Sequence, residues 1–184
     1  MPNASEKTEP PEPKPISSAR TTLSRIMTAL DVNLLGTVHG GVIMKLVDDV
    51  AGAVANRHSG GPAVTASMDD MQFLVPVRVG DLVHASAQVN WAGRTSMEVG
   101  VRVVAERWDD STVPGAHVAS AYLVFVAVDD AGSPREVPAL VLETEGDARR
   151  FREAEIRRAH RLARREAILA SRGSDAAEGA APTG

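Results

Sequence analysis

Between Gly40 and about His58 the apolar residues Val42, Ile43, Leu46, Val47, Val50 and Val54 recur at three- and four-residue intervals. That is the period of a helix with one buried stripe. The stripe needs a large apolar surface to cover it, and this requirement constrains the rest of the chain. Met44, Asp48, Ala51, Gly52 and Ala55 fall on an adjoining face, where small side chains let another surface come close. Lys45 and Asn56 mark the open polar side, so Asp48 is expected at the edge of the buried stripe. Glycines in Ser59-Gly60-Gly61-Pro62 stop the helix, with Pro beyond.

What covers the helix is a set of strands. Residues 19–30 read as a first strand, followed by a loop over 31–38. Beyond Pro62 the period changes to two. Residues 63–68 and 71–74 flank a break at Asp69-Asp70, and residues 76–81 form a turn. In residues 81–90 Val83, Ala85, Ala87 and Val89 alternate with polar residues, as Met97, Val99, Val101, Val103 and Ala105 do after the turn at 92–94. Residues 117–128 are apolar on both faces, which predicts a central strand covered twice. The order strand, long helix, then strands at hairpin spacing is an α+β layering of one helix on one antiparallel sheet.

A second helical segment, residues 145–172, is Arg-rich with a ragged apolar stripe of Phe151, Ile156, Leu162, Ile168 and Leu169. Interleaved Glu153, Glu155 and Glu166 and the scarcity of aromatics favour a solvated or subunit-bridging helix over a nucleic-acid or membrane surface. Residues 1–15, rich in Pro and Glu, and residues 173–184, rich in Gly and Ala, are expected to be disordered tails. The folded domain is thus expected over 16–144. At 184 residues the chain is sized for one core, and its net charge of −4 is mild. The chain has no Cys, which excludes disulfides, thiolate zinc sites and a Cys nucleophile. No stretch reaches the length of a membrane span and the N-terminus lacks a signal-peptide core, so a cytoplasmic protein is expected.

Chemistry concentrates around the long helix. Its start exposes unpaired N–H groups, and Gly40 and Gly41 let a ligand approach the backbone there. Such donors can polarise a carbonyl or hold an oxyanion; a Gly pair also merely permits tight packing. His39 either helps bind substrate or finishes the helix start. Asp49, near Lys45, reads as solvated. Asp48 lies seven residues past Gly41 on the small-residue face, where a carboxylate can act as general base or as nucleophile. No Gly-x-Ser-x-Gly elbow is present, and His39, His58, His84, His117 and His160 show no pair at metal-ligand spacing.

The combination Asn33-x-x-Gly36-x-x-His39-Gly40-Gly41 followed by Met44-Lys45-Leu46-Val47-Asp48-Asp49-Val50-Ala51-Gly52 resembles the hot-dog acyl-CoA thioesterases, in particular the cytosolic acyl-CoA hydrolase branch. The likeness continues through residues 64–69, Phe73, residues 76–80 and 94–99, and reaches Glu143-Thr144-Glu145. The resemblance implies a hot-dog fold and hydrolysis of acyl-CoA to free fatty acid and CoA, with no metal or dissociable cofactor. It implies a homodimer, joined as a trimer of dimers in a hexamer, with Asp48 of one subunit facing Asn33 of the other. It further implies the substrate carbonyl against Gly41, Gly40 and His39, CoA running past Thr65, Ser67, Arg94, Thr95 and Ser96, and the acyl chain between helix and sheet. No nucleic acid or membrane partner is implied. An acyl-CoA sensor and a hot-dog hydratase stay open as rival readings.

Overall fold

The structure, a computed structural model, describes residues 10–107, 109–110 and 112–178. The elements in chain order are β1 (Lys14–Pro15), β2 (Thr21–Ile26), α1 (Gly40–Ser59), β3 (Ala63–Phe73), β4 (Asp81–Ala92), β5 (Ser96–Arg107), β6 (Ala116–Ala127), β7 (Leu140–Val141) and α2 (Glu145–Glu178). Strands β2, β4, β5, β6 and β3 form one five-stranded sheet in that spatial order, antiparallel at every junction. This is the expected α+β layering, with α1 on one face of the sheet.

Helix α1 begins where His39 Nδ1 accepts the Gly41 N–H at 2.9 Å, a side-chain cap on an otherwise unpaired donor. It ends at Gly60, whose φ of 73° lets its N–H turn back to the Asn56 carbonyl. Ile43, Val47, Val50 and Val54 on the helix meet Val83, Ala85 and Val89 of β4 and Val99 and Val103 of β5 in one closed core. The ring of Phe125, the largest fully buried side chain, packs beneath Gly52 of α1. The same closure corrects the expected acyl path: the space between helix and sheet is filled by side chains with essentially no exposure.

Other expectations shift at the edges. The first strand spans only Thr21–Ile26, because Thr28 and Asp31 cap a 3₁₀ turn at Ala29–Asp31 that breaks the extended run. The Asp69-Asp70 break is no break: β3 continues from Ala63 to Phe73 through register shifts at Thr65/Ser67 and Met68/Asp70, β-bulges that interrupt the alternation. The expected tail 1–15 ends inside the fold, since Lys14 and Pro15 pair with Leu140 and Val141 and the Lys14 ammonium donates to the His58 carbonyl at 3.0 Å; residues 1–9 lie outside the described residues. Likewise α2 runs to Glu178, six residues into the expected C-terminal tail; residues 179–184 lie outside the described residues.

The Arg-rich helix α2 packs on the outer face of the sheet, opposite α1. It starts with Thr144 and Asp147 exchanging hydrogen bonds, a capping box. The buried Asp147 carboxylate also holds Arg150 at 2.8 Å and Arg20 at 3.4 Å. Burial alone would raise its pKa, but the bonds from Arg150 and Thr144 and both cationic charges hold it below the usual carboxylate range. Further on, Arg157 pairs with Glu98 of β5 at 2.6 Å and lies 3.7 Å over the Tyr122 ring. Arg161 pairs with Asp69 in the β3 bulge, and Arg158 stacks 5.0 Å above Trp91. The ragged apolar stripe follows from this: guanidinium groups fasten this helix to the sheet, around the buried Ala154 and the half-buried Phe151.

Candidate functional site

Asp48 is the exposed acid of α1 that reaches across to the sheet. The Thr65 hydroxyl, on the edge strand β3, donates to its Oδ1 at 2.8 Å. Its Oδ2 has no partner among the described residues. One oxygen is therefore fixed and the other is free to take a proton. The side chain is exposed at the edge where α1 faces β3, with Met44 exposed beside it and Ala51 and Ala55 turned inward. Asp49 behaves as read from the sequence, with the Lys45 ammonium on its carboxylate at 2.7 Å.

The loop before α1 is a built structure. His39 N–H donates to the Asp31 carbonyl at 2.7 Å, Val38 N–H to Val77, and Val32 bridges Val38. Asn33 sits at the bend: its Oδ1 accepts from Leu35 and Thr37 N–H, and its Nδ2 donates to Thr37 Oγ1 at 3.0 Å. All its hydrogen bonds stay in its own loop, and none reaches Asp48. One Nδ2 hydrogen is left over, since a primary amide carries two. Asp31 anchors the loop and escaped the sequence reading. It accepts from Thr28 N–H at 2.7 Å and from Arg25 at 2.6 Å. Bonds from the Thr28 backbone and hydroxyl outweigh the effect of burial, and with Arg25 they hold its pKa low. The Thr28-x-x-Asp31 spacing carries the capping signature that would have revealed it.

The expected oxyanion donors divide. Gly41 N–H is already taken by His39, which corrects its assignment as a free donor. Because His39 Nδ1 accepts that bond, a neutral His39 ring carries its proton on Nε2, where it can donate outward. Gly40 N–H has no partner among the described residues, and the Phe73 ring lies 3.4 Å from where its Cβ would stand. Beside this helix start is an apolar cleft of about 280 Å³ lined by Val38, Gly40, Ile43, Phe73, Leu74 and Val75, among others. Nearby Leu34 and Leu35 are 105% and 87% exposed, on the loop that carries Asn33.

The remaining expected contacts are spread out. Ser67 donates weakly to Asp69 at 3.4 Å within the bulge. Arg94 is exposed at the β4–β5 turn with no ion pair among the described residues. Thr95 and Ser96 complete that turn, which reaches the sheet end where Ser96 pairs with Val126 and Val126 with Val64. Thr65 and the Arg94 turn thus share one end of the sheet. Asp48 and Asn33 do not share a contact within the chain.

A profile of the Thioesterase superfamily matches residues 35–108. The mouse cytosolic acyl coenzyme A thioester hydrolase is 38% identical over 156 residues, covering 85% of this chain and 41% of its own length. The chain thus spans about two fifths of that relative. A hexameric acyl-CoA thioesterase solved in its apo form superposes with a TM-score of 0.80 at 34% identity, over 83% of this chain and 97% of that one. An acyl-CoA hydrolase from Staphylococcus aureus, solved with butyryl coenzyme A, coenzyme A and coenzyme A disulfide, gives a TM-score of 0.80 at 32% identity, over 89% and 98%. The Staphylococcus enzyme has also been solved with an asparagine, an aspartate and a threonine singly replaced by alanine, spaced along its chain as Asn33, Asp48 and Thr65 are here.

Proposed function

Because this chain belongs to the thioesterase superfamily, we propose that it hydrolyses fatty acyl-CoA to the free acid and CoA, with Asp48 as the central group. The observation that carries this reading is the Asp48 carboxylate held at one oxygen by Thr65 and free at the other. Water adds to the thioester carbonyl carbon as Asp48 takes its proton. The oxyanion that forms faces the Gly40 N–H and the outward His39 Nε2–H. The C–S bond then breaks, and the thiolate of CoA leaves with the proton. The acyl chain lies in the cleft bounded by Phe73 and Leu74, and CoA runs toward Thr95, Ser96 and the exposed Arg94 guanidinium, which suits phosphate. No dissociable cofactor takes part.

The site is completed by a second copy. At a helical rise of about 1.5 Å per residue, Asp48 stands about 12 Å beyond Gly40 on its own helix. One carbonyl does not touch both groups of a single chain. A homodimer solves this by facing Asp48 of one subunit with Asn33 and the helix start of the other. The unpaired edge of β3 and the bare Leu34 and Leu35 support that pairing, since long exposed edges and apolar patches mark interfaces. Three such dimers would assemble as a hexamer, the state given for the apo thioesterase above, and the cytosol is the compartment we assign, after the mouse relative's name.

The test is complementation. Asp48→Asn is expected to lower thiol release from acyl-CoA at least ~100-fold, the scale of a lost general base, with circular dichroism unchanged. Asn33→Ala and Asp48→Ala chains, each inactive, should regain part of the activity when their subunits are exchanged. Full turnover by Asp48→Asn refutes the mechanism, and absence of rescue after proven exchange refutes the shared site.

A further inference from the structure

Helix α2 is longer than the sheet it crosses. Its polar anchors follow the strands in spatial order: Asp147 holds Arg20 just before β2, Arg157 holds Glu98 of β5 and covers Tyr122 of β6, and Arg161 holds Asp69 of β3. Between residues 147 and 161 the helix rises ~21 Å, close to the ~19 Å that four inter-strand gaps occupy. It thus runs almost square to the strands and arrives at the β3 edge near Arg161. From there it continues to Glu178, ~25 Å past the edge of its own sheet. That overshoot matches the width of a second five-stranded sheet.

One flank of α2 suits such an encounter. Glu155, Arg158, Leu162, Glu166 and Leu169 recur three or four residues apart, so they share a side of the helix, and all are exposed. Leu162 and Leu169 are 40% and 56% exposed. Glu155, Arg158 and Glu166 have no ion pair among the described residues. The stack of Arg158 on Trp91 turns this flank toward the sheet end where Val64 of β3 pairs with Val126 of β6. Ala63 and Phe125 beside that pair pack in the core, so Val64 and Val126 face outward, and Val64 is 51% exposed.

We propose that this flank docks against the same flank of a second copy, the two α2 helices lying antiparallel across the outer face of a sheet continued from β3 to β3. The docking rests on the homodimer proposed above and adds an interface on the face away from Asp48. Halfway to a second β3, ~2.4 Å on, the helix has just passed Arg161, which puts the two-fold axis at Leu162. Residues equally far from that point then meet. Leu162 meets Leu162 of the second copy, and Arg158 meets Glu166 on both sides of the axis, opposite charges in register. Ile168 and Leu169, about 11 Å past the first β3, come to lie over the second copy's β6, beside its outward Val64–Val126 pair.

A chain without Cys allows a direct test. Leu162→Cys in the full chain is expected to form a disulfide-linked dimer on oxidation, while His160→Cys, exposed on the opposite flank beside Asp70, is not. In sedimentation velocity Glu166→Arg should weaken the pair about tenfold or more, and the double change Arg158→Glu/Glu166→Arg should recover most of that loss. A parent chain that sediments as a monomer overturns the homodimer and this docking together. A stable pair in which Leu162→Cys links no better than His160→Cys, or in which Glu166→Arg has no effect, overturns the docking alone. Capture by phosphatidylserine vesicles that Leu162→Glu abolishes, without the crosslink, assigns the flank to a membrane and overturns it equally.

Discussion

Replacing Arg157 by Met tests what holds α2 on the sheet. Glu98 is 1% exposed, and its carboxylate accepts from Arg157 Nε and Nη2 and from Asn90 Nδ2. Removing the guanidinium leaves a buried charge with one neutral donor. Breaking a buried pair from one side costs roughly 3–5 kcal/mol. Arg157 retains 20% exposure, so some water already reaches the pair and the lower end, roughly 3 kcal/mol, is expected. For a chain of this size that lowers the melting temperature by roughly 6–12 °C. The opposite change is cheaper. Glu98→Gln leaves Arg157 over the Tyr122 ring with its tip near water, a loss of about 1 kcal/mol. In Arg157→Met the second change to Gln removes the stranded charge and should restore a good part of the stability. Urea unfolding followed by far-ultraviolet circular dichroism, at one fixed protein concentration because association contributes, gives all four corners of this cycle. If Glu98→Gln costs as much as Arg157→Met, or if Arg157→Met costs under about 1 kcal/mol, the ion pair is not the fastener described above.

Two further changes probe the site and the core. Thr65→Val removes the hydroxyl that fixes Asp48 Oδ1 and should lower kcat about tenfold with KM for acyl-CoA little changed; kcat within twofold of the parent would show that Asp48 needs no such hold. His58 is fully buried, and burial lowers its pKa against the opposing bond from its Nε2–H to the Pro138 carbonyl. The unfolded chain therefore takes up a proton that the folded one refuses, so stability is complete above pH ~6.5 and falls as the pH drops toward the depressed value. His58→Gln should flatten the melting-temperature profile below about pH 6.5, and an unchanged slope would place the effect elsewhere.

The central helix was legible to within a residue because its stripe, its glycine stop and its His-Gly-Gly start are local signals. The period of two likewise disclosed β4 and β5. What the sequence hid depends on partners far along the chain. The β3 bulge reads as a broken strand because Asp69, which pairs with Arg161 of α2, interrupts the alternation. Glu98 looks like any outward polar position in β5 until α2 lays Arg157 on it. Arg is ordinarily a solvent residue, so a helix fastened by Arg resembles a free one. The candidate site falls between these cases. Asp48 was singled out by type and face, yet its hold by Thr65 joins residues in different elements, and the Gly41 N–H is taken by the neighbouring His39. Along α1 the helical rise sets Asp48 about 12 Å beyond Gly40, and this separation is why the proposed site draws on a second chain. The edge strand β3 and the bare leucines beside Asn33 are the surfaces that the proposal assigns to that second chain.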